Sequence, residues 1–230
     1  ENYHTDQIVL SSVGNISMAK FIRLAEKYFG AIPEKSRTKT RLNVYNYQPE
    51  KRVIQKDTFQ AHCIVGNIAP DIYSPKRMQM VLLNNILGGP SMNSRLNMVL
   101  RERNGMAYNV ESGYTGYFDT GQFSVYFGTD KENLDQALRL VNREFRNIKE
   151  KQMGIVQLSR AKKQMIGQLA ISAETREDLM LSIGKSYLFF NKVDTLETIF
   201  QKIEQIESRE IMEIANEIFN ESLASVLIYQ

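Results

Sequence analysis

Apolar positions along the chain repeat with two different periods, and each period predicts one kind of element. A repeat of two, as in Phe123, Val125 and Phe127, predicts a strand with one buried face. Repeats of three and four, as in the apolar stripe of residues 134–148, predict an amphipathic helix. Strands are predicted at residues 8–13, 52–56, 60–68, 107–117, 122–128 and 223–229. Helices are predicted at residues 17–30, 75–88, 91–103, 130–148, 153–173, 176–190, 195–204 and 209–219.

Capping and turn residues fix the ends of these elements. Ser17, Ser74, Asp194 and Ser208 are each placed to cap a helix. The turn at residues 119–121 joins two strands into a hairpin, which implies antiparallel pairing. Strands and helices occur in groups along the chain. The predicted fold class is therefore α+β, an antiparallel sheet with helices packed on one face.

Residues 34–50 divide the chain into two parts. They are rich in Lys, Arg, Asn and Ser and have no clear periodicity, so we predict a linker there and a main domain at residues 51–230. The chain begins without an initiator Met or a leader, as expected for the interior of a longer protein. Two short apolar segments, QIVLSSVGN and SLASVLIYQ, echo each other. Residues 1–33 are accordingly predicted to hold the closing strand and helix of an upstream half, followed by the connection between the halves.

The composition argues against several functional classes. Apolar residues form 43% of the 230 residues, enough for a sizeable core. A net charge of +3 is too slight for a dedicated nucleic-acid binder, and no run approaches the roughly 18 apolar residues of a membrane span. The single cysteine, Cys63, cannot form an intramolecular disulfide, which fits a reducing compartment. We therefore expect no nucleic-acid or membrane partner and a cytoplasmic location, with the periplasm as the alternative.

The usual catalytic and metal motifs are missing from the sequence. A zinc site needs about three protein ligands, but the chain has only two histidines, His4 and His62, and neither belongs to an H-x-x-E-H motif. His62 and Cys63 are neighbours in a predicted strand and should point to opposite faces. No G-x-S-x-G elbow or Walker loop is present. The expected metal content of this chain is therefore none.

One stretch, GGPSMNSRLNMVLRERNGMAYNV, carries the remaining candidate chemistry. Its helix is predicted to bury Met92, Leu96, Val99 and Leu100, which leaves Arg101 to one side of the apolar stripe. Gly105 then turns the chain into a strand that begins near Tyr108. A guanidinium and a phenol at one corner could both donate hydrogen bonds to a carbonyl or a developing oxyanion. The simpler alternative is a solvated Arg101 and a packed Tyr108.

The same stretch resembles the G-G-x(n)-S-R-L-x(n)-L-R-x-x-x-G-x-x-Y segment of the pitrilysin/insulinase family of zinc peptidases, which includes the mitochondrial processing peptidases and their bacterial relatives. VGNISMAKFIRLAEKYFGAIP is similar to the segment between the two halves of that family, so the resemblance covers essentially the whole chain. Two departures are Asn97, where an aromatic residue is usual, and Met106 in place of the common Leu.

The resemblance implies one half of a clamshell metallopeptidase, the half without zinc. It implies catalytic roles for Arg101 and Tyr108, which would reach a peptide held near zinc of the other half. It also implies substrate binding at Gly88, Gly89 and Ser91, and a mostly structural role for residues 94–96. The expected partners are the zinc-bearing N-terminal half, on the same polypeptide by our interpretation, and an unfolded peptide substrate.

Two alternatives to this hypothesis stay open. The chain could be a non-catalytic structural member of the same family, in which the fold is kept for assembly, or a plain peptide-binding module. The isolated chain is expected to be inactive as a peptidase, with hydrolysis performed by the zinc-bearing half. The exposed partner surface of such a half could also drive formation of a homodimer.

Overall fold

A computed structural model describes residues 3–38 and 47–230 of the chain. The middle of the predicted linker, residues 39–46, lies outside the described residues. The described chain divides into two compact units, one of residues 3–38 and 166–201 and one of residues 47–165 and 202–230. This division is not linear along the chain, and the assignment of residues 1–33 to an upstream half stays a prediction.

The larger unit is built on a five-stranded sheet with the order β1-β5-β2-β4-β3. The strands are β1 (Lys51–Ile54), β2 (Ala61–Ala69), β3 (Ala107–Gly116), β4 (Gly121–Thr129) and β5 (Ser225–Tyr229). β2 pairs antiparallel with both β4 and β5, and β3 pairs antiparallel with β4. β1 adds to the edge of the sheet parallel to β5. The α+β class predicted from the sequence is confirmed, with this one parallel pair in an otherwise antiparallel sheet.

Seven α-helices complete the described chain. They are α1 (Met18–Phe29), α2 (Arg77–Gly88), α3 (Leu134–Glu150), α4 (Ile155–Glu174), α5 (Arg176–Phe190), α6 (Leu196–Gln205) and α7 (Ser208–Ile218). Each matches a helix predicted from the apolar periodicity to within a few residues at its ends. The eighth predicted helix, at residues 91–103, does not form as a regular α-helix.

Side chains of one sheet face form the core of the larger unit together with α2, α3 and α7. Cys63, Phe123, Val125 and Phe127 are buried on that face, in agreement with the predicted alternation along β4. The rings of Phe145 on α3 and Phe219 after α7 stack with centroids 4.2 Å apart and close the core beside Phe123. Ile64 and Ile68 of β2 remain more than one-third exposed, so the opposite face of the sheet is the open one.

The smaller unit differs from the prediction at its start. Residues 8–13 form no strand, because a strand needs a hydrogen-bonded neighbour and no strand of the described residues pairs with them. Instead Ser11 Oγ donates to the carbonyl of Met180 in α5 at 3.0 Å. Ser17 caps α1 as predicted, since its hydroxyl accepts from the amide of Lys20. None of the α1 side chains is buried within the described residues.

Three of the predicted helix caps are wrong. Ser74 does not cap α2, because the helix begins after Lys76, and the Ser74 hydroxyl instead accepts from the Lys76 amide at 3.2 Å in the turn ahead of it. Thr195, not Asp194, accepts from the backbone amide three residues ahead at the start of α6. Glu207, not Ser208, caps α7 in a reciprocal capping box with Glu210. Ser208 instead donates its hydroxyl to the carbonyl of Met153. At the starts of α6 and α7 two polar residues stand next to each other, and backbone geometry selects which of them caps.

Candidate functional site

Arg101 lies in a π-helical segment, Asn97–Glu102, rather than in the regular helix predicted for residues 91–103. The wider turn is visible in the hydrogen bond from the amide of Arg103 to the carbonyl of Met98, five residues back, at 3.0 Å. Leu96, Val99 and Leu100 are buried as predicted. The fourth predicted core residue, Met92, is 65% exposed because it precedes the helical segment. Single π-turns occur frequently at functional sites.

The Arg101 side chain faces solvent with about half of its surface exposed. Its Nε lies 4.0 Å from Glu102 Oε1, the limit of an ion pair. Such an exposed and long contact contributes little to stability and does not fix the guanidinium. Arg101 is therefore placed as the sequence predicts, beside the buried stripe and accessible from outside the domain.

A left-handed turn joins the π-helical segment to β3. Gly105 has φ +58°, and its amide donates to the carbonyl of Arg101 at 2.9 Å. The amide of Met106 donates to the carbonyl of Leu100 at 2.8 Å. This is the pattern of a glycine C-cap, which a residue with a Cβ adopts only with strain. The turn directly ties the backbone of Arg101 to the start of the strand that carries Tyr108.

Tyr108 is the extra residue of a β-bulge. Ala107 lies opposite Thr129 and Asn109 opposite Gly128, so β3 fits three residues against two of β4. Without the bulge, Tyr108 would share the buried face of Val110, two residues on. With it, Ala107 takes the buried position and Tyr108 is 60% exposed. Bulges are known to re-aim side chains beside active sites, and this one turns the phenol outward.

The Tyr108 hydroxyl donates to Oδ1 of Asp130 at 3.2 Å. This hydrogen bond, together with the negative charge of Asp130, raises the pKa of Tyr108 above its ordinary value. The phenol therefore stays protonated throughout the neutral range and can act as a hydrogen-bond donor. Arg101 and Tyr108 thus present a permanent positive charge and a neutral hydrogen-bond donor on the two sides of one tight turn.

The three residues predicted to bind substrate have visible structural reasons for their identities. Gly88 ends α2 against β3, where a Cβ would come within 2.6 Å of the Ser112 amide nitrogen. At Gly89 a Cβ would come within 2.7 Å of the carbonyl oxygen of Asn85. Ser91 Oγ donates to Asn93 Oδ1 at 2.5 Å, within the turn that follows. The geometry accounts for both glycines by packing, and a substrate-binding role stays a prediction.

An ion pair beneath the π-helical segment was not predicted from the sequence. Arg95 Nε donates to Glu144 Oε2 at 3.0 Å, and Asn147 Nδ2 donates to the other carboxylate oxygen at 3.1 Å. Glu144 is buried on α3, although it is charged. Glu144 lies three residues after Val141 and therefore on the apolar stripe of the helix. A carboxylate on such a stripe is buried and needs a partner, so its position in the sequence was a signal for this ion pair.

The chain offers no zinc site in the part that the structure describes. There, no group of three His, Cys, Asp or Glu side chains is arranged to hold a metal ion. His62 Nδ1 is 2.9 Å from the Tyr126 hydroxyl on the open sheet face, whereas Cys63 points into the core. Burial raises the pKa of the Cys63 thiol to about 12. The two neighbours lie on opposite faces, so they cannot share a metal.

The helices in the described ranges give no candidate for a membrane span. None of them combines the length and the apolar character that crossing a bilayer requires.

Comparison with known proteins gives consistent matches across the chain. Residues 1–165 match the family described as "Peptidase M16 inactive domain". An uncharacterized zinc protease of Bacillus subtilis is 33% identical over 226 residues, which cover 98% of this chain and 54% of that protein. An uncharacterized zinc protease of Rickettsia bellii is 28% identical over 233 residues, which cover 99% of this chain and 55% of that protein. The chain spans about half the length of the curated relatives it matches.

Solved structures share the fold. A peptidase M16 inactive domain from Pseudomonas fluorescens superposes with a TM-score of 0.85 at 21% identity, covering 94% of this chain and 52% of that one. A protease from Helicobacter pylori gives a TM-score of 0.82 at 16% identity, covering 95% and 53%. Fold and relatives together define an α+β domain of the zinc proteases. More narrowly, the chain belongs to the peptidase M16 inactive-domain family and corresponds to the C-terminal, inactive half of a member of that family.

Proposed function

We propose that this chain is the substrate-clamping half of a zinc metalloendopeptidase. Arg101 and Tyr108 would act on a peptide held against a zinc-bearing N-terminal half. The observation that carries the proposal is that both side chains are exposed on the two sides of one tight turn, Arg101 in a π-turn and Tyr108 in a β-bulge that turns it outward. Such irregularities weaken regular hydrogen bonding, so their coincidence at one turn is hard to explain by packing alone.

The chemistry available at this corner is hydrogen bonding and charge stabilisation. Attack on a peptide carbonyl develops negative charge on its oxygen, and a preorganised donor aimed at that oxygen stabilises the transition state. Tyr108 supplies a neutral hydroxyl and Arg101 a permanent positive charge. The Tyr108 hydroxyl would exchange its bond to Asp130 for one to the substrate. Before substrate binds, the hydrogen bond to Asp130 would hold the Tyr108 hydroxyl in one orientation.

The other half would provide the metal. Zinc polarises a carbonyl and lowers the pKa of a bound water when it is held by three protein ligands. Because the described residues of this chain lack such a ligand group, we propose that the ligands lie in the zinc-bearing half. The isolated chain should then be inactive.

Peptide binding would involve the edge of the sheet. β3 is an outer strand of the sheet and carries Tyr108 near its start. Edge strands present backbone groups to which an extended peptide can add as a further strand. The β3 sequence contains no Lys or Pro, the residues that commonly protect an edge from such pairing. An unfolded peptide is therefore the substrate class that this surface favours.

The test uses protein that contains both halves and zinc, with Arg101→Ala and Tyr108→Phe as the variants. We expect kcat for a fluorogenic peptide to fall by about 100-fold for Tyr108→Phe, the usual effect of losing one oxyanion donor. Peptide affinity, measured by fluorescence anisotropy on metal-free protein, should stay within about twofold for this variant, because one exposed hydroxyl adds little to ground-state binding.

Two control variants match these changes in chemistry. Tyr117→Phe removes an exposed hydroxyl further along the same hairpin, and Arg139→Ala removes an exposed guanidinium from α3. Both should keep full activity. Unchanged turnover in the Arg101 and Tyr108 variants would instead favour a non-catalytic structural or peptide-binding member of the family. Chelator-sensitive peptidase activity of the isolated chain would contradict the division of roles.

A further inference from the structure

A polar groove in the larger unit lies between the π-helical segment, α3 and α4. Its volume is about 480 Å³, and its lining comes from α2, residues 93–103, α3 and residues 153–164. Three guanidinium groups line it, those of Arg95, Arg103 and Arg160. We call it the arginine groove. It is built from different side chains than the corner of Arg101 and Tyr108.

The arginine groove has an excess of positive charge. Glu144 is the only carboxylate among the described lining residues, and it is already bonded to Arg95 and Asn147. Arg103 and Arg160 are exposed, and neither forms an ion pair with any residue that the structure describes. Three guanidinium groups against one carboxylate leave two positive charges in excess. A ligand for this groove should therefore be an anion.

Side-chain amides supply further hydrogen-bond donors around these charges. The amide residues of the lining come from α2, the turn after it, α3 and α4, and they are Asn85, Asn93, Asn147, Gln157 and Gln164. The bond from Gln164 Nε2 to Asn85 Oδ1 is long, 3.4 Å, so the Gln164 amide can turn toward a ligand at little cost. Donors spread over four elements suit a ligand with several acceptor oxygens better than a single small ion.

We infer that the arginine groove binds a compact polyanion, a small molecule with two or more linked phosphate or carboxylate groups. Guanidinium groups bind both kinds of oxyanion in a bidentate manner, and they are less strongly hydrated than ammonium groups. Arg95, fixed by Glu144, would provide a rigid donor at the floor of the groove, and Arg103 and Arg160 would close on the ligand from the rim. This site does not depend on the proposed peptidase role, because binding at it can be measured without substrate or zinc.

The groove differs from a basic surface on the outer face of α3. Arg139 and Arg143 are exposed on the outer face of α3, where the neighbouring lining residues all belong to that one helix. Such a face attracts anions only through diffuse charge, which salt screens. The pair Arg139 and Arg143 therefore provides a control with the same number of charges and a similar exposure.

Isothermal titration calorimetry of the chain with inorganic triphosphate and with citrate tests the inference. The two probes distinguish phosphate from carboxylate sources. We expect saturable one-to-one binding of at least one probe at physiological ionic strength. The double variant Arg103→Gln/Arg160→Gln should weaken it by about 100-fold, because each guanidinium removed takes away a charge-assisted hydrogen bond and roughly a factor of ten in affinity. The double variant Arg139→Gln/Arg143→Gln should change it by less than about threefold.

Three results would overturn the inference. One is the absence of saturable binding of either probe. Another is unchanged affinity in the Arg103/Arg160 variant, with circular dichroism and melting temperature as in the parent chain. The third is an equal loss of affinity in both double variants, which would show diffuse attraction to a basic surface. Because both pairs are exposed, neither double variant should disturb folding.

Discussion

The hydroxyl of Tyr108 and the carboxylate of Asp130 meet at the open end of the β3–β4 hairpin, 3.2 Å apart. Tyr108 stands in the bulge at the start of β3, and Asp130 directly follows the last residue of β4. Beside them, Thr129 Oγ1 donates to the carbonyl of Met106 at 2.5 Å. Both chain ends of the hairpin are therefore tied together where the phenol leaves the sheet, and the bulge and the carboxylate together set its direction.

Replacing Asp130 by Asn should lower the pKa of Tyr108 toward its ordinary value. In the parent chain, ionisation would place a phenolate against a carboxylate and break their hydrogen bond, which raises the pKa. The bond is therefore present below the ordinary pKa of tyrosine and is lost as the pH rises through the raised pKa. A ¹³C NMR titration of the tyrosine ring carbons measures the pKa of Tyr108 in the parent chain and in Asp130→Asn. The Tyr108→Phe variant assigns the signal.

Asp119→Asn is the matched control for this titration, since it removes a carboxylate from the turn of the same hairpin. It should leave the Tyr108 titration unchanged. If Asp130→Asn also leaves it unchanged, the hydrogen bond between Tyr108 and Asp130 does not persist in solution.

The general fold could be predicted from the sequence because it depends on regular periods. The alternation of Phe123, Val125 and Phe127 predicts which face of β4 is buried, and the structure buries the same residues. The helical stripes likewise predict all seven α-helices of the described chain. Strand order, by contrast, depends on pairings distant in sequence. The parallel addition of β1 to β5, for example, leaves no local pattern in either strand.

The candidate site could be predicted only in part, because its geometry departs from regular periods. The sequence predicts a glycine turn between Arg101 and Tyr108, and Gly105 forms that turn in the structure. A pattern with a period of two gives Tyr108 the same face as Val110, and only the bulge reverses this. The π-turn could not be predicted either. Leu96 and Leu100 are four residues apart, which is also the apolar spacing of a regular α-helix.

Gly88→Ala should destabilise the chain by about 1 to 3 kcal/mol, the usual penalty for overpacking. The new methyl group would lie 2.6 Å from the backbone nitrogen of Ser112 and 2.8 Å from its hydroxyl oxygen. Because a backbone atom is involved, α2 and β3 would have to move apart. Urea denaturation followed by circular dichroism measures the change in the free energy of unfolding.

Gly113→Ala provides the comparison for Gly88→Ala, because it adds a methyl group at the residue of β3 that follows Ser112. There the nearest atom to the new Cβ is the Ser124 hydroxyl oxygen at 3.9 Å, an ordinary contact. This variant should be as stable as the parent or slightly more stable. Equal stability of the two variants would contradict the close approach of α2 to β3 and would leave substrate binding as the reason for Gly88.

Cys63 should resist thiol reagents while the protein is folded. Its pKa of about 12 leaves roughly one thiolate in ten thousand at pH 8, and its side chain is fully buried in the core. Modification should therefore follow the unfolding of the chain. The rate of reaction with a colorimetric disulfide reagent, measured across a urea series, should increase in step with the loss of circular dichroism. Fast reaction without urea would contradict the burial.

Breaking the pair between Arg95 and Glu144 should be among the most damaging single polar changes in the larger unit. Arg95→Ala leaves the Glu144 carboxylate buried with Asn147 as its partner, and loss of one member of a fully buried pair costs about 3 to 5 kcal/mol. Because the Arg95 side chain is about one-third exposed, we expect a smaller loss than that range, about 2 to 3 kcal/mol. Arg95→Ala/Glu144→Ala should regain part of this loss, since no charge stays buried. A double-mutant cycle in urea provides the coupling energy, and a value near zero would indicate that the two side chains do not interact in solution.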